Sequence, residues 1–338
     1  MIRGALDQDR ILDLQYSPFG GQTLARRAVA DALRESHHLP FSFDDVILTP
    51  GAMSALQLAL RTCGAPGDEV IVPVPCWVDH PLFAWAADRK PVTVLLHDES
   101  FALDVRAVED AVTNRTCAVL LTDPANPTGR IYGAEELGEL ADTLHQAESR
   151  HSCEITLIAD EVHRDFAAPG AFESASAFFD RTLLVYSFGK YHFMQGQRLG
   201  YIATSPRHPD RRAVSTELVR WVRISGTVGP TALMQRALPG LLGLEYDLGW
   251  LRRWRARLSR ELSSQGYFVV DGDATLFVYV RTPAGYGDFD FTGELAADGV
   301  LVLPAPVFHH QGYFRVSLTG SEQMLERALP VLERFSRV

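Results

Sequence analysis

Short runs of β-branched and other apolar residues alternate with segments of helical spacing along the N-terminal part of the chain. These runs predict buried strands at Glu69 to Val74, Pro91 to Leu96, Ala118 to Thr122, Glu154 to Ala159, Thr182 to Tyr186 and Leu199 to Ala203. Helical spacing of Leu, Ala and Val predicts helices at Ala52 to Cys63, Asp104 to Val112 and Ala134 to Ala147. The alternation predicts an α/β fold: a mostly parallel sheet covered on both faces, in a three-layer α/β/α domain.

The pattern changes after about Gly226. A long Arg-rich helix is predicted at Tyr246 to Ser264, followed by short strands around Ala274 to Val280 and Tyr313 to Leu318, and then a final helix. We expect a large domain over 23–225 and a smaller α+β domain over 226–338, to which residues 1–22 contribute an N-terminal segment. The turn residues between Ser225 and Pro230 mark the boundary.

Composition and charge point to a globular protein that acts on small molecules. The 338 residues are 46% hydrophobic and 22% charged, and the net charge of -10 gives little support to a nucleic-acid-binding surface. No apolar run approaches the roughly 20 residues that span a bilayer, and the first ten residues lack an apolar signal-peptide core. We therefore expect a cytoplasmic protein without a membrane partner.

The four cysteines are Cys63, Cys76, Cys117 and Cys153. Their wide spacing, without a C-x-x-C pair, predicts reduced thiols and no metal site.

Several motifs fall where predicted strands end, which is the edge at which parallel α/β sheets bind ligands. Thr49-Pro50-Gly51-Ala52-Met53 opens a helix whose free N–H groups suit a phosphate, although it also reads as an ordinary strand-to-helix turn. Pro73-Val74-Pro75-Cys76-Trp77 offers an indole that could stack on a flat ring, although a lone Trp is more often core.

Two further motifs follow apolar strands. Asp123-Pro124-Ala125-Asn126-Pro127-Thr128-Gly129 offers the Asn126 amide to a ligand oxygen. Asp160 ends a buried strand in Leu157-Ile158-Ala159-Asp160-Glu161-Val162-His163, where an unpaired carboxylate is costly. A protonated pyridine nitrogen would be a suitable partner, while a helix N-cap or an ion pair with Arg remains an alternative.

A lysine lies at the end of another predicted strand, in Ser187-Phe188-Gly189-Lys190. Arg198 follows eight positions later. This grouping suits a Schiff base beside a phosphate clamp, although most lysines are solvated surface groups.

Together, in this order, the motifs resemble the class I and II aminotransferases of the fold-type I family, which use pyridoxal 5′-phosphate (PLP), and the resemblance extends from about Leu14 to Leu332. It implies that Lys190 carries the cofactor as a Schiff base and moves the substrate Cα proton, and that Asp160 pairs with the pyridine nitrogen. It also implies cofactor contacts from Trp77, Asn126, Ser187, Arg198, His163 and the backbone of Ala52 and Met53.

The resemblance extends to the substrate and to a second subunit. Arg315, in Tyr313-Phe314-Arg315-Val316-Ser317, resembles the arginine that binds the substrate carboxylate, with an ion-paired strand residue as the alternative. Asn126 and Phe19 are further expected substrate contacts. Tyr16 resembles the tyrosine that reaches the phosphate of the neighbouring subunit, which implies a homodimer.

The sequence departs from this family in two places. His163 stands where most aminotransferases of the group have a tyrosine that donates to the cofactor's phenolic oxygen, so it either replaces that donor or takes part in proton transfer. The segment Asp160-Glu161-Val162-His163 is more similar to carbon-sulfur β-lyases. Tyr16 also comes early in the chain, so we expect a shortened N-terminal segment.

The leading functional hypothesis is an aminotransferase that moves an amino group between an L-amino acid and a 2-oxo acid. The alternative is a PLP-dependent lyase, decarboxylase or cyclase that acts on an amino acid in a specialised biosynthetic pathway. A third hypothesis is a sensor or scaffold without turnover. It has less support, because the expected cofactor contacts are retained.

Overall fold

A seven-stranded sheet organises the N-terminal part of the protein, which is described by a computed structural model over residues 14–272 and 274–336. Its strands are β1 (Val46–Thr49), β2 (Glu69–Val74), β3 (Lys90–Leu95), β4 (Thr116–Thr122), β5 (Thr156–Asp160), β6 (Thr182–Ser187) and β7 (Gly200–Thr204). They lie in the order β1-β7-β6-β5-β4-β2-β3. The strands from β3 to β6 are parallel, whereas β7 runs antiparallel to both β6 and β1. The predicted mostly parallel sheet is confirmed.

Helices cover both faces of this sheet. They are α1 (Thr23–His37), α2 (Ala52–Thr62), α3 (His80–Ala86), α4 (Val105–Ala111), α5 (Ala134–His151) and α6 (Arg211–Ile224). One hydrophobic cluster joins α1 and α5 to one face, and a second joins α2 and α6 to the other. Helix α5, for example, buries Leu137, Leu140, Ala141 and Leu144, which share one side of the helix at this spacing. The three-layer α/β/α architecture is therefore confirmed.

The remaining chain forms a smaller unit. Its elements are α7 (Ala232–Leu242), α8 (Gly249–Ser264), β8 (Phe277–Arg281), α9 (Asp288–Ala297), β9 (Leu303–Pro304), β10 (Tyr313–Ser317) and α10 (Glu322–Phe335). The strands form an antiparallel sheet in the order β8-β10-β9, packed on α8, α9 and α10 through residues such as Leu258, Phe291 and Phe314. Met234 and Leu238 of α7 belong instead to the core of the large sheet. The division at residue 226 stays a prediction, and residues 1–13 of the predicted N-terminal segment lie outside the described residues.

Several element ends differ from the prediction. The helix predicted from Tyr246 begins at Gly249, because the Asp247 side chain accepts the Gly249 N–H at 2.7 Å in a local turn that competes with the helix. The strand predicted from about Ala274 begins at Phe277, because the Ala274 N–H donates to the Gly129 carbonyl at 3.1 Å. Within the described residues, no helix is both long and apolar enough to cross a membrane.

Several contacts bring the smaller unit against the strand ends of the large sheet. The Ala274 N–H bond to Gly129 is the first. The Cys76 N–H donates to the Phe308 carbonyl at 3.2 Å, and His309 Nε2 donates to the Val78 carbonyl at 3.1 Å. These bonds place β10 and the turn before it beside the motifs that end β2 and β4.

Candidate functional site

A pocket lies at the carboxyl ends of β4, β5 and β6, beside the first turn of α2. It is lined by Ala52, Met53, Leu56, Trp77, Thr122, Asn126, Asp160, Val162, His163, Ser187, Gly189, Lys190, Gln195 and Arg198. The structure thus brings together all the predicted cofactor contacts except Tyr16. Tyr16 is 97% exposed, and Phe19 is partly exposed with Arg223 lying over its ring at 5.6 Å, so neither lines this pocket. Their predicted roles stay predictions.

The Asp160 carboxylate is buried at the end of β5 and is oriented by a histidine. His80 Nε2 donates to Asp160 Oδ2 at 3.1 Å, and the Val162 N–H donates to Oδ1 at 3.4 Å. His80 itself is fully buried, and its Nδ1 lies 3.3 Å from Thr122 Oγ1. The proposed ion pair of Asp160 with an arginine is not found among the described residues.

The Lys190 amine lies in the turn after β6 and lines the same pocket as Asp160. Burial lowers the pKa of Lys190, and the positive charges of Arg315 and Arg198 lower it further, against an opposing effect of Asp160. A lowered pKa increases the fraction of free amine near neutral pH, which is the form that attacks a carbonyl. The buried setting of Lys190 is therefore that of a reactive amine.

The pocket also combines a helix start with a guanidinium. Gly51 precedes α2 with a φ of 80°, a conformation that favours glycine. Arg198 donates to the Gln195 carbonyl at 2.9 Å and to the Pro50 carbonyl at 3.3 Å, and a Cβ on Gly51 would lie 2.6 Å from its Nη2. The free N–H groups of the first turn and the adjacent guanidinium form a cradle for an anion.

Arg315, on β10, reaches the pocket through Asn126. Its guanidinium lies over the rings of Phe277 at 3.8 Å and Phe308 at 4.7 Å, and its Nη1 donates to Asn126 Oδ1 at 2.9 Å. Burial lowers the pKa of Arg315 to about 10, so the group stays positive at neutral pH. Because guanidinium only donates, this bond fixes the Asn126 amide with its NH₂ free for a ligand. No ion pair holds Arg315 among the described residues.

His163 is enclosed next to Lys190 and Arg315. Its ring lies 6.0 Å from the Phe166 ring and 5.8 Å from the Phe277 ring, centre to centre, and its buried Nδ1 has no hydrogen-bond partner. Burial, and then the charges of Lys190 and Arg315, hold the pKa of His163 well below its usual range. The imidazole is therefore neutral at physiological pH.

The charged residues that follow and precede His163 in sequence form hydrogen bonds that stabilise the fold. Glu161 is buried and accepts bonds from His37 at 3.2 Å, Arg164 at 3.0 Å and Ser174 at 2.5 Å. Arg164 also donates to the Tyr201 hydroxyl at 2.7 Å. These side chains do not line the pocket, so they connect the strand ends to α1.

Sequence reasoning considered His80 only as a possible substrate contact and did not predict that it orients Asp160. It assigned no role to Leu56, Thr122, Val162 and Gln195, which also line the pocket. His80 had one signal, since it follows Trp77 closely at the start of a helix.

The pocket fits the cofactor that the resemblance implies. A buried carboxylate faces it, with a histidine and no cationic side chain as its hydrogen-bonded side-chain partner among the described residues. At Gly51 a Cβ would collide with the Arg198 guanidinium, so only glycine lets this guanidinium lie against the first turn of α2. The unpaired nitrogens of His163 and Arg315 are buried polar atoms that a polar ligand or an intervening water can satisfy. The carboxylate suits a protonated ring nitrogen, the cradle suits a phosphate, and the unpaired nitrogens suit oxygen atoms carried by the ring.

Comparisons with known proteins agree with this site. The model of the family "Aminotransferase class I and II" matches residues 7–332. A bifunctional aspartate and glutamate/aspartate-prephenate aminotransferase of Petunia hybrida is 32% identical over 95% of this chain and 70% of its own length. The aspartate/prephenate aminotransferase of Thermus thermophilus is 30% identical over 96% of this chain and 83% of its own length.

Solved structures give the same result. An amino transferase from Eubacterium rectale superposes with a TM-score of 0.94 at 25% identity, over 99% of this chain and 84% of its own. The Thermus thermophilus aspartate aminotransferase with maleate superposes with a TM-score of 0.89 at 28% identity, over 99% of this chain and 86% of its own. Amino-group transfer is thus favoured over the lyase, decarboxylase and cyclase alternatives. The chain belongs to the class I and II aminotransferases, enzymes that use pyridoxal 5′-phosphate to move an amino group between an amino acid and a 2-oxo acid.

Proposed function

We propose that Lys190 holds the cofactor covalently and carries the proton at the substrate Cα, in the pocket that it shares with Asp160. The observation that carries this proposal is the placement of both groups at adjacent strand ends. A half-buried amine with a lowered pKa and a buried carboxylate line one pocket. As a free amine, Lys190 Nζ can attack a carbonyl carbon, and after release it can accept a proton.

Asp160 keeps the ring nitrogen protonated. When bound, pyridoxal phosphate supplies an electron-withdrawing ring that makes the Cα proton of an attached amino acid acidic. The fixed Asp160 carboxylate stabilises positive charge at that nitrogen, and His80 keeps the carboxylate oriented. Trp77 lines the pocket, where its face can pack on the ring.

The phosphate of the cofactor is proposed to bind in the cradle beside α2. Arg198 offers a planar pair of donors, and the first N–H groups of α2, at Ala52 and Met53, add the dipole of a helix N-terminus. Ser187, buried at the end of β6, lines the pocket, and its hydroxyl is proposed to turn from the Leu199 carbonyl, to which it donates at 3.4 Å, toward the phosphate. These contacts are proposed to anchor the cofactor through its phosphate, beside the first turn of α2.

The substrate's α-carboxylate is assigned to Arg315, with Asn126 beside it. The guanidinium is in contact with two aromatic rings and bonded to Asn126, so little rotamer entropy is lost when it binds a carboxylate. The Thermus thermophilus and Petunia hybrida relatives carry aspartate and prephenate in their names, so L-aspartate is the first amino donor to test.

The enzyme is further proposed to be a homodimer, with domains over 23–225 and 226–338. Tyr16 is almost fully exposed, although a tyrosine buries favourably, and Leu14 beside it is 53% exposed. Tyr16 is proposed to reach the phosphate site of the partner subunit, and Phe19 is proposed to contact substrate.

A half-reaction measurement tests the proposal. The cofactor-loaded enzyme is mixed with single L-amino acids, without any 2-oxo acid, and the 2-oxo acid and ammonia that form are quantified. A transaminating Lys190 site gives one equivalent of 2-oxo acid per site and then stops, with no ammonia, until an oxo acid acceptor is added. Continuous release of ammonia and 2-oxo acid would contradict the proposal. The Lys190→Ala variant is the control and is expected to yield neither product.

A further inference from the structure

The small sheet packs one face against the core of the large sheet, and Arg315 lies on that face. Arg315 of β10 pairs with Tyr279 of β8, and the next pair on the same face is Tyr313 with Arg281. These four side chains form the inner face of the small sheet, because residues directly opposite or two positions apart point to one side. Tyr279 and Tyr313 belong to the hydrophobic cluster of α1 and α5. Whatever holds the inner face therefore also places the Arg315 guanidinium.

A loop from the large sheet inserts an aromatic ring into the inner face. Residues 96–104 join β3 to α4, and the buried Phe101 side chain extends from this loop. Its ring lies 5.7 Å from Tyr279, 5.4 Å from Tyr313 and 5.5 Å from His310, centre to centre. All three contacts are edge-to-face, an arrangement that aromatic rings favour. Phe101 thus joins the large sheet to the smaller unit.

The backbone of the loop is strained at Phe101. Its φ is 51°, in the left-handed region that a bulky residue rarely adopts. The Phe101 N–H donates to the His97 carbonyl at 2.9 Å, and the His97 N–H donates to the Ala102 carbonyl at 3.0 Å. Arg130 donates to the Ser100 carbonyl at 3.3 Å. Because such a conformation persists only where the surrounding contacts compensate for it, the packing of the Phe101 ring is a favourable contact that the loop is built to keep.

An ion pair at the rim of the inner face is the weaker connection. Glu99 of the same loop accepts a bond from Arg281 at 2.7 Å. The two charged side chains are 58% and 39% exposed, and ion pairs in such positions contribute little. The buried ring of Phe101 therefore holds the inner face more firmly than this ion pair does.

Tyr279 connects Phe101 to Arg315. It lies directly opposite Arg315, and its ring centre is 6.3 Å from that of Phe308, over which the Arg315 guanidinium lies at 4.7 Å. Without the Phe101 ring, Tyr279 would border a cavity into which the surrounding side chains relax. A displacement of about 1 Å at a binding group can cost about 10²-fold in rate, so this short path is sufficient to affect substrate binding.

We propose that Phe101 is a positioning residue for the substrate: its ring holds the inner face so that Arg315 stands in place to bind the α-carboxylate. The proposal rests on the proposed function of Arg315. Phe101 does not line the cofactor pocket, so it acts through Tyr279 and touches neither cofactor nor substrate. The cofactor contacts at Lys190 are expected to be independent of it.

The test compares two amines that differ only in the carboxylate. 2-Methylalanine carries a carboxylate where tert-butylamine has a methyl group, and neither has a hydrogen on the amino-bearing carbon, so both report binding alone. Their apparent dissociation constants are measured from the visible absorbance of the cofactor-loaded enzyme. The wild type is expected to prefer 2-methylalanine, and Phe101→Ala is expected to lower this preference about 10-fold. The affinities for tert-butylamine and for the cofactor are expected to change by less than about twofold.

Two further variants complete the test. Phe101→Leu keeps much of the apolar bulk and is expected to lower the preference only about threefold, which decides the question if Phe101→Ala does not fold. Glu99→Gln removes the ion pair and is the control, expected to stay within about twofold of the wild type. A wild-type preference in both Phe101 variants would overturn the proposal, as would an equal loss of affinity for both amines and the cofactor. A wild type without any preference would instead contradict the proposed contact of Arg315 with the carboxylate.

Discussion

His80 Nε2 and Asp160 Oδ2 lie 3.1 Å apart, in a hydrogen bond that is buried at the end of β5. A carboxylate only accepts, so Nε2 donates to it, and the Thr122 hydroxyl lies 3.3 Å from Nδ1 on the other side of the ring. Both ring nitrogens therefore have a hydrogen-bond partner. This relay fixes the Asp160 carboxylate, which is proposed to face the cofactor's ring nitrogen.

Replacing His80 by Phe is expected to lower kcat/KM by about 10–100-fold, because a hydrogen bond to a charged group is lost. Cofactor affinity should fall less, since the phosphate contacts remain. Thr122→Val removes only the outer partner of the ring and is expected to have a smaller effect. Steady-state kinetics and a cofactor titration on each variant check this expectation. A His80→Phe enzyme with wild-type kcat/KM would show that Asp160 needs no support.

Gly51→Ala tests the phosphate cradle. The new Cβ would lie 2.6 Å from Arg198 Nη2, and φ is 80°, so the guanidinium has to move and the turn is strained. Cofactor affinity is expected to fall by at least about 10-fold, on the order of the 1.4 kcal/mol that one charge-assisted contact contributes. Gly293→Ala, inside α9 and with no atom within 4 Å of its Cβ, is the matched control. Equal cofactor dissociation constants in both variants would argue against phosphate at this turn.

Arg315→Lys tests the assignment of the substrate carboxylate. Lysine keeps the charge but loses the planar pair of donors and the stacking between Phe277 and Phe308. We expect kcat/KM for an amino acid to fall by about 10²-fold or more, mainly through KM. The control is Arg281→Lys on the neighbouring β8, whose partner is Glu99 at 2.7 Å. If both lysine variants behave alike, Arg315 does not bind the substrate.

Asp123 gives a prediction for stability. Burial raises its pKa well above the usual range, its Oδ1 accepts the Tyr132 N–H at 3.2 Å, and its Oδ2 has no partner. When the pKa of an acid is higher in the folded than in the unfolded state, the protonated group stabilises the folded protein. This contribution is complete below the unfolded pKa of about 3.9 and is lost as the pH rises from there through the folded pKa. Asparagine keeps the Oδ1 contact and never ionises.

Asp123→Asn is therefore expected to match the wild-type Tm at about pH 3.5 and to exceed it by about 2–5 °C at pH 8. Thermal unfolding measured across this pH range checks the sign. Asp142→Asn, on the exposed side of α5, is the control and should move Tm little at any pH. A Tm advantage that is greatest in acid would mean that Asp123 is ionised in the folded protein.

Much of the site was predictable because its residues belong to local motifs at strand ends. Asp160 and Lys190 each follow an apolar strand directly, and parallel strands bring such positions to one edge of a sheet. The His80–Asp160 contact was not predictable, because the two residues are 80 positions apart and their pairing depends on how α3 packs. The same holds for Arg315 and Asn126, whose bond joins different units.

The unpredicted elements are those whose local signal is weak. Strand β1 has only four residues, and α3 has seven with Pro81 in its first turn, so neither gives a clear period. Helix α7 carries Pro239 in its interior, which argues against a helix until its packing is known. Its apolar residues join the core of the large sheet, a contact that the chain's order does not reveal.

Borohydride reduction of the cofactor-loaded enzyme, followed by peptide mapping, tests the central claim most directly. The chain has two lysines, Lys190 and Lys90, and Lys90 lies on the edge strand β3 with its Nζ 2.9 Å from Glu69 Oε1. We predict one reduced cofactor on the Lys190 peptide, none on the Lys90 peptide, and none in Lys190→Ala. An unlabelled Lys190 peptide in loaded enzyme would contradict the proposal that this amine holds the cofactor.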